Sequence, residues 1–248
     1  MVLPDFICIG AQKCGTTWLD AVLRTNPHIN MPTGRKELHF FDTRLYRNRN
    51  LRWYSSHFVE GKVNGEITPR YAFIPEPKIE KVKSIIPDVK ILYILRNPVE
   101  RAWSMLNSQV DVNKKPIEFI VRHLVGKPSV SRGDYYTCLS NWKKYFDDDK
   151  IQVLFYEELK EDPKKFLGKI EKFLELPEHE WDETLLTKKI KSGSAVENYS
   201  DVVKSKPKMP KVVQSVVDQV YLPKLEKLKT LVDSKYLDNW ISKIDNNE

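Results

Sequence analysis

The chain has 248 residues, of which 41% are hydrophobic and 30% charged, a composition typical of a soluble α/β domain with a sizeable core. The net charge of +7 favours an anionic partner, such as nucleic acid, a membrane surface, an acidic glycan or a polyanionic cofactor. No apolar run approaches the roughly 18 residues that span a bilayer, and the N-terminus lacks the basic region of a signal peptide. These features exclude a transmembrane helix within the sequence, and we expect one unexported domain over residues 1–248.

Cysteine usage points to a reducing compartment. Cys8, Cys14 and Cys138 are odd in number and widely spaced, and no CxxC pair occurs. The pattern predicts neither a disulfide framework nor a zinc site. We therefore expect a cytoplasmic protein; a Golgi luminal domain separated from its anchor is the less favoured alternative.

Four short apolar runs predict buried strands, at residues 5–10, 62–67, 89–95 and 151–156. Helical patterns separate these runs, an arrangement that predicts a central parallel sheet with right-handed crossovers and flanking helices. Ligands bind beyond the carboxyl ends of the strands in such sheets. Further helices are predicted over residues 16–25, 133–146 and 212–244, the last broken at Pro223.

The first predicted strand leads into a glycine loop, residues 10–15 (GAQKCG), and then into a helix that begins at Thr16. Gly10 and Gly15 allow successive N–H groups to point inward, and the helix N-terminus adds its positive dipole end, so the segment predicts an anion cradle. A nucleotide-triphosphate loop reads GxxxxGK[ST]. Here Thr16 stands where that lysine would be, and the lysine lies within the loop as Lys13. The loop is therefore expected to bind a phosphorylated nucleotide without the usual magnesium apparatus; the alternative is an ordinary strand–helix turn.

A second phosphate signal lies in ILRNPVERAWSMLN, residues 94–107. Arg96 follows a predicted strand, Pro98 opens a helix, and Ser104 lies about two turns inside it. Arg96 offers a bidentate fork to a phosphate and Ser104 a hydroxyl. Arg101, on the same helix, either belongs to this motif or is a solvated residue.

The acidic segment, residues 36–42 (KELHFFD), contains Glu37 and His39, either of which could accept a proton from an alcohol. The alternative is that both are surface residues. An arginine-rich stretch follows and is either a substrate-facing basic wall or a solvated face; its members are Arg44, Arg47, Arg49 and Arg52.

Taken in their order along the chain, the motifs resemble those of sulfotransferases that use 3′-phosphoadenosine 5′-phosphosulfate (PAPS). The resemblance is to the carbohydrate branch, typified by heparan sulfate 3-O-sulfotransferases and N-deacetylase/N-sulfotransferases. GAQKCGTT is similar to the 5′-phosphosulfate loop, ILRNPVERAWS to the 3′-phosphate motif and KELHFFD to the acidic catalytic segment. GEITPRY (65–71) and GDYYTCLSNW (133–142) are similar to the segments that follow, and KSKPKMP (204–210) to a lid over the cofactor.

The resemblance implies a single P-loop-like domain, PAPS as donor, adenosine 3′,5′-bisphosphate as product and no metal requirement. The expected acceptor is a glycan or glycoconjugate, which an anionic character would suit; a small alcohol, a lipid or a protein tyrosine is the alternative. Lys13 would neutralise charge on the bridging oxygen, and Glu37 would be the general base, with His39 as the alternative. The cofactor-binding residues would be Gln12, Lys13, Cys14, Gly15, Thr16, Thr17, Trp18, Arg96, Ser104, Tyr135, Lys204 and Lys206.

Two departures from the family pattern stand out. Several relatives carry a lysine where this chain has Ile67, and relatives with an animal-type lid have a disulfide near the late lysines, whereas no cysteine follows Cys138. The second departure fits a bacterial or viral cytosolic enzyme. The alternative functions are a P-loop nucleotide kinase or NTPase and a basic nucleic-acid-binding module.

Overall fold

A parallel sheet forms the centre of the protein, and a computed structural model describes residues 1–42, 49–187 and 207–245. Within these residues the sheet has five strands in the order β2-β3-β1-β4-β5, and every neighbouring pair is parallel. The strands are β1 (Phe6–Gly10), β2 (Ile29–Asn30), β3 (Val63–Ile67), β4 (Lys90–Leu95) and β5 (Ile151–Phe155). The predicted α/β class is confirmed, and four of the strands match the predicted runs.

Helices cover both faces of this sheet, as right-handed crossovers between parallel strands require. In the described ranges they are α1 (Thr16–Leu23), α2 (Leu51–Ser55), α3 (Glu76–Ile85), α4 (Pro98–Asn107), α5 (Ile117–Val125), α6 (Lys127–Gly133), α7 (Tyr135–Lys143), α8 (Tyr156–Glu161), α9 (Pro163–Leu174), α10 (Glu183–Leu186), α11 (Lys211–Leu228) and α12 (Lys235–Asp245). Single 3-10 turns lie at Pro69–Phe73, Val112–Lys114 and Asp148–Lys150. None of the helices described is both long and apolar enough to cross a bilayer.

β1 lies between β3 and β4, and all five of its residues are buried. Phe6 pairs in register with Gly65 on β3, where an added Cβ would fall 1.9 Å from the Phe6 ring. Glycine at position 65 is therefore required by the packing of a bulky ring across the two strands. Because β1 pairs in parallel with both β3 and β4, the carboxyl ends of these three strands lie at one edge of the sheet.

Two helix predictions need correction. The predicted break at Pro223 is wrong, because α11 runs through this residue and ends at Leu228. A proline removes one helical hydrogen bond, and the buried Tyr221 and Leu225 on either side hold the helix against the core. The helix predicted from residue 133 begins at Tyr135, because Asp134 caps it by accepting a hydrogen bond from the Thr137 N–H.

Candidate active site

The glycine loop joins β1 to α1 in a conformation that requires its two glycines. Gly15 has φ 86°, and a Cβ added there would lie 2.7 Å from Leu159 Cδ2. At Gly10, with φ 151°, a Cβ would lie 3.0 Å from the Pro69 carbonyl oxygen. A side chain at either position would both strain the backbone and collide with its neighbours.

The loop presents donors that fit an anion. Gly15 is the N-cap residue of α1, and no side chain among the described residues caps this helix start, so the N–H groups of the first turn face outward without a side-chain acceptor. Gln12 Oε1 is also buried without a hydrogen-bond partner in the described part of the chain, but an amide oxygen is an acceptor and adds no donor for an anion. An uncapped helix start beside a tight glycine turn is the arrangement that binds phosphate groups.

Cys14 and Trp18 contribute to the loop in different ways. The Cys14 side chain is fully buried, and this burial raises the pKa of its thiol to about 12. The thiol therefore stays protonated, and only the backbone N–H of Cys14 can serve a ligand. The indole N–H of Trp18 donates to the Leu185 carbonyl at 3.3 Å, so this side chain fixes α1 to the α10 region.

The acidic segment lies against the loop through Lys36. The Lys36 Nζ donates to Thr16 Oγ1 at 3.2 Å and to Thr17 Oγ1 at 3.0 Å, and it lies 3.7 Å from Glu37 Oε1. Burial lowers the pKa of this lysine. One side chain thus connects the start of α1 with the carboxylate expected to act as the base.

His39 is held between two carboxylates. Its Nδ1 lies 2.9 Å from Asp42 Oδ2 and its Nε2 lies 3.1 Å from Glu37 Oε2. The hydrogen bonds to Asp42 and Glu37 raise the pKa of His39 to about 9. His39 is therefore an imidazolium at neutral pH that donates from both ring nitrogens. The Arg70 Nε also lies 3.2 Å from Asp42 Oδ2, so Asp42 is the buried anchor of this cluster.

A second buried carboxylate fixes the acidic segment to the end of β3. Glu66 is fully buried and accepts hydrogen bonds from the hydroxyls of Tyr54, Thr68 and Tyr71. The Tyr71 hydroxyl in turn accepts the Phe40 N–H at 2.9 Å. Burial raises the pKa of Glu66 to about 7. This chain of hydrogen bonds sets where the acidic segment lies relative to the sheet.

Arg96 follows β4 and contacts the glycine loop on the side away from the acidic segment. Its Nη1 donates to the Lys13 carbonyl at 3.3 Å, and its Nη2 lies 3.0 Å from Glu100 Oε2. Ser104 is buried on α4. The Tyr135 hydroxyl donates to the Arg96 carbonyl at 2.8 Å from a buried position. Tyr135 therefore supports the backbone behind Arg96, and Arg96 has to share its guanidinium between Glu100 and any phosphate.

The interpretation of Arg101 as a solvated residue is wrong, because the structure buries it completely. Its Nη2 donates to the Ser129 carbonyl at 2.9 Å and lies 3.4 Å from the Tyr221 hydroxyl. Arg101 points away from solvent because it lies on the face of α4 that packs against α6 and α11. It therefore joins these three helices behind the 3′-phosphate motif.

The remaining predictions concern the arginine-rich stretch and the two late lysines, and only some of these residues are described by the structure. Arg49 Nη1 donates to the Leu38 carbonyl at 2.8 Å, and the Arg49 guanidinium lies 4.3 Å from the centre of the Trp53 ring. Arg49 therefore connects the acidic segment to α2. Arg52 is exposed. Lys204, Lys206, Arg44 and Arg47 lie outside the described residues. In the described part, no group of three or more His, Cys, Asp or Glu side chains is placed to hold a metal ion.

Sequence reasoning missed Lys36, Asp42 and Arg70 as parts of the site. Lys36 and Asp42 stand at the two ends of the acidic segment, so they could have been included with Glu37 and His39. The spacing of three residues between His39 and Asp42 allows an ion pair but does not require one. Arg70 follows β3, and its proximity to Asp42 depends on tertiary structure.

A parallel sheet carries a glycine loop after its central strand, and an acid–base cluster contacts the same loop. The family model described as Sulfotransferase domain matches residues 3–223, and the chain belongs to this family. The resemblance inferred from the motifs is confirmed.

Particular relatives are similar over much of this chain. It is 29% identical over 199 residues to bifunctional heparan sulfate N-deacetylase/N-sulfotransferase 1 of Caenorhabditis briggsae, covering 71% of this chain and 23% of that protein. It is 30% identical over 184 residues to heparan sulfate glucosamine 3-O-sulfotransferase 6 of Mus musculus, covering 70% of this chain and 52% of that protein. The matched region is thus about a quarter of the first relative's length and about half of the second's.

The fold itself is shared with solved sulfotransferase structures. The crystal structure of a sulfotransferase from Alicyclobacillus acidocaldarius superposes with a TM-score of 0.74 at 22% identity, covering 97% of this chain and 99% of that one.

Proposed function

We propose that this chain transfers the sulfuryl group of PAPS to a hydroxyl or amine of a carbohydrate. The observation that carries the proposal is the contact of Lys36 with both Thr16 and Thr17, because it places the acid–base cluster directly beside the anion-binding loop. A group-transfer enzyme needs this adjacency, since the acceptor must be activated next to the bound donor.

The residues present fit PAPS as the donor. The uncapped start of α1 lies where a 5′-phosphosulfate would bind. Thr16 and Thr17 add hydroxyl donors, and Arg96 with Ser104 would hold the 3′-phosphate. When bound, PAPS supplies an activated sulfuryl group. Lys13 would place its ammonium at the loop, where negative charge develops as the sulfuryl group departs, and this stabilisation is strongest in the transition state.

Glu37 is the group we assign as general base. The pKa of His39 is raised to about 9 by its hydrogen bonds to Asp42 and Glu37, so His39 already holds its proton at neutral pH and cannot accept another. A Glu37 carboxylate oxygen would take the proton from the acceptor. A carboxylate is a weak base toward an alcohol, so this proton transfer has to accompany sulfuryl transfer. His39 holds the Glu37 carboxylate in place through Nε2.

A glycan acceptor is supported by the two relatives, both of which are named for heparan sulfate. The exposed Arg70, whose Nε lies 3.2 Å from Asp42 Oδ2, adds positive charge beside the acidic segment that suits an anionic polysaccharide. We extend the proposal to a cytoplasmic enzyme, supported by the three buried cysteines, none of which forms a disulfide.

Two measurements test the proposal. We expect adenosine 3′,5′-bisphosphate to raise the unfolding temperature without magnesium, because a ligand that binds the native state stabilises it. Stabilisation by ATP and magnesium alone would instead identify a kinase, and stabilisation by oligonucleotides alone a nucleic-acid-binding module. With radiolabelled PAPS, we expect transfer to heparan-type glycans in preference to phenols and lipids. Transfer to phenols and to no sugar would overturn the carbohydrate assignment.

A further inference from the structure

The Lys36 ammonium is surrounded by two carboxylates, Glu37 and Asp20, and by two threonine hydroxyls. Its side chain is only 16% exposed, and Glu37 Oε1, at 3.7 Å, is too far for a strong hydrogen bond. Its two short contacts are instead to neutral groups, the hydroxyls of Thr16 and Thr17. The two carboxylates offset only part of the cost of burying this charge, because the pKa of Lys36 is lowered by burial despite them. The placement therefore calls for a functional reason.

The hydrogen-bonding capacity of the three groups supplies that reason. An ammonium has three donors and no acceptor, and a hydroxyl has one donor and two acceptor lone pairs. Because both threonine oxygens accept from Lys36, neither hydroxyl proton can point toward the ammonium. Each proton is directed to another acceptor, and both residues begin α1 at the glycine loop. The two hydroxyls are thereby kept as donors toward whatever anion the loop holds.

We propose that Lys36 is a positioning residue that aligns the Thr16 and Thr17 hydroxyls as donors to the 5′-phosphate of the cofactor. The inference rests on the proposed function for the identity of the anion. Since Lys36 precedes Glu37 in the chain, the same contact fixes the distance between the base and the loop. The general attraction between a lysine and a phosphate is a separate contribution that does not depend on the threonines.

The experiment is a thermodynamic cycle on nucleotide binding, measured by calorimetry. The proteins are the wild type, Lys36→Met, Thr16→Val with Thr17→Val, and the combination of all three substitutions. The ligands are adenosine 3′,5′-bisphosphate and adenosine 3′-phosphate, which lacks the 5′-phosphate. Lys90→Met is the matched control, because Lys90 is 19% exposed, pairs with Glu175 at 2.6 Å and starts β4 at the opposite end of the sheet.

We expect Lys36→Met to weaken bisphosphate binding at least tenfold in the wild type and less than about threefold in the background lacking both threonine hydroxyls. Affinity for adenosine 3′-phosphate should be unchanged, and Lys90→Met should change neither affinity. An equal loss in both backgrounds, or no loss, overturns the role of Lys36 while leaving PAPS as the donor. If the wild type fails to bind the bisphosphate, the proposed function fails and the inference fails with it. Unfolding midpoints verify folding, and Lys36→Gln replaces Lys36→Met should that variant not fold.

Discussion

The two hydrogen bonds of His39 predict how the stability of the protein changes with pH. The folded-state pKa of His39 is raised from 6.5 to about 9 by Asp42 and Glu37. A base whose pKa is higher in the folded state contributes stability that is fully present below pH 6.5 and is lost as the pH rises to about 9. At about 1.4 kcal/mol per pH unit, this difference corresponds to at most about 3.5 kcal/mol. Because the side chain is 29% exposed, solvent screening should reduce the contribution to about 1–2 kcal/mol.

Replacing His39 with asparagine removes the titrating group at small cost to the backbone. His39 has φ 54°, a left-handed conformation that asparagine tolerates better than other non-glycine residues. We expect the variant to be about 1–2 kcal/mol less stable than the wild type at pH 6. The difference should shrink steadily above pH 6.5 and nearly vanish by about pH 9.5.

Urea denaturation at intervals between pH 6 and 9.5 measures this difference directly. Burial raises the pKa of Glu66 to about 7, so the protein loses the stability that this residue contributes as the pH rises from 4.5 to 7. The same loss occurs in the wild type and in the variant, and it cancels in the difference between them. A stability difference that stays constant from pH 6 to 9.5 would show that His39 is not an imidazolium held by two carboxylates. The assignment of Glu37 as the base would then lose its main physical argument.

Three further predictions concern the proposed reaction. Gly15→Ala should weaken binding of adenosine 3′,5′-bisphosphate at least tenfold by calorimetry, because its methyl group meets Leu159 at 2.7 Å in a left-handed backbone. The control Gly61→Ala has a similar φ of 79° but open space around it, and a loss of equal size there would contradict the steric argument. Arg96→Ala should abolish the preference for adenosine 3′,5′-bisphosphate over 5′-AMP in competition binding, and an unchanged preference would move the 3′-phosphate site elsewhere. Glu37→Gln should abolish transfer with cofactor binding intact while His39→Ala keeps part of the rate, and the reverse ranking would make His39 the base.

The sheet was largely predictable because its buried strands are short apolar runs. β1 and β4 are buried on both faces, so they contain few polar residues and stand out from the flanking segments. β2 was missed because two residues, Ile29 and Asn30, are too few to form a pattern. The predicted break at Pro223 failed for a different reason. Local propensity indicated a helix end there, and tertiary packing of α11 overrode it.

The glycine loop could be identified from sequence because its parts are consecutive. Strand, glycines, lysine and threonines follow one another, so their spacing along the chain fixes their spacing in space. The acid–base cluster could be identified only in part. Glu37, His39 and Asp42 are neighbours in sequence, but the contact of Lys36 with residues about 20 positions earlier depends on how the acidic segment folds back. A sequence pattern cannot specify such a contact.

The strand order explains why the two halves of the proposed site lie where they do. β1 has β3 on one side and β4 on the other. The segment after β3 anchors the acidic segment, because Tyr71 connects Glu66 to the Phe40 N–H. The segment after β4 places Arg96 against the Lys13 carbonyl on the other side of the loop. Acceptor activation is thus assigned to the β3 side of β1, and recognition of the 3′-phosphate to the β4 side. A change in the arginine should therefore alter cofactor selectivity and leave the proton-accepting group in place.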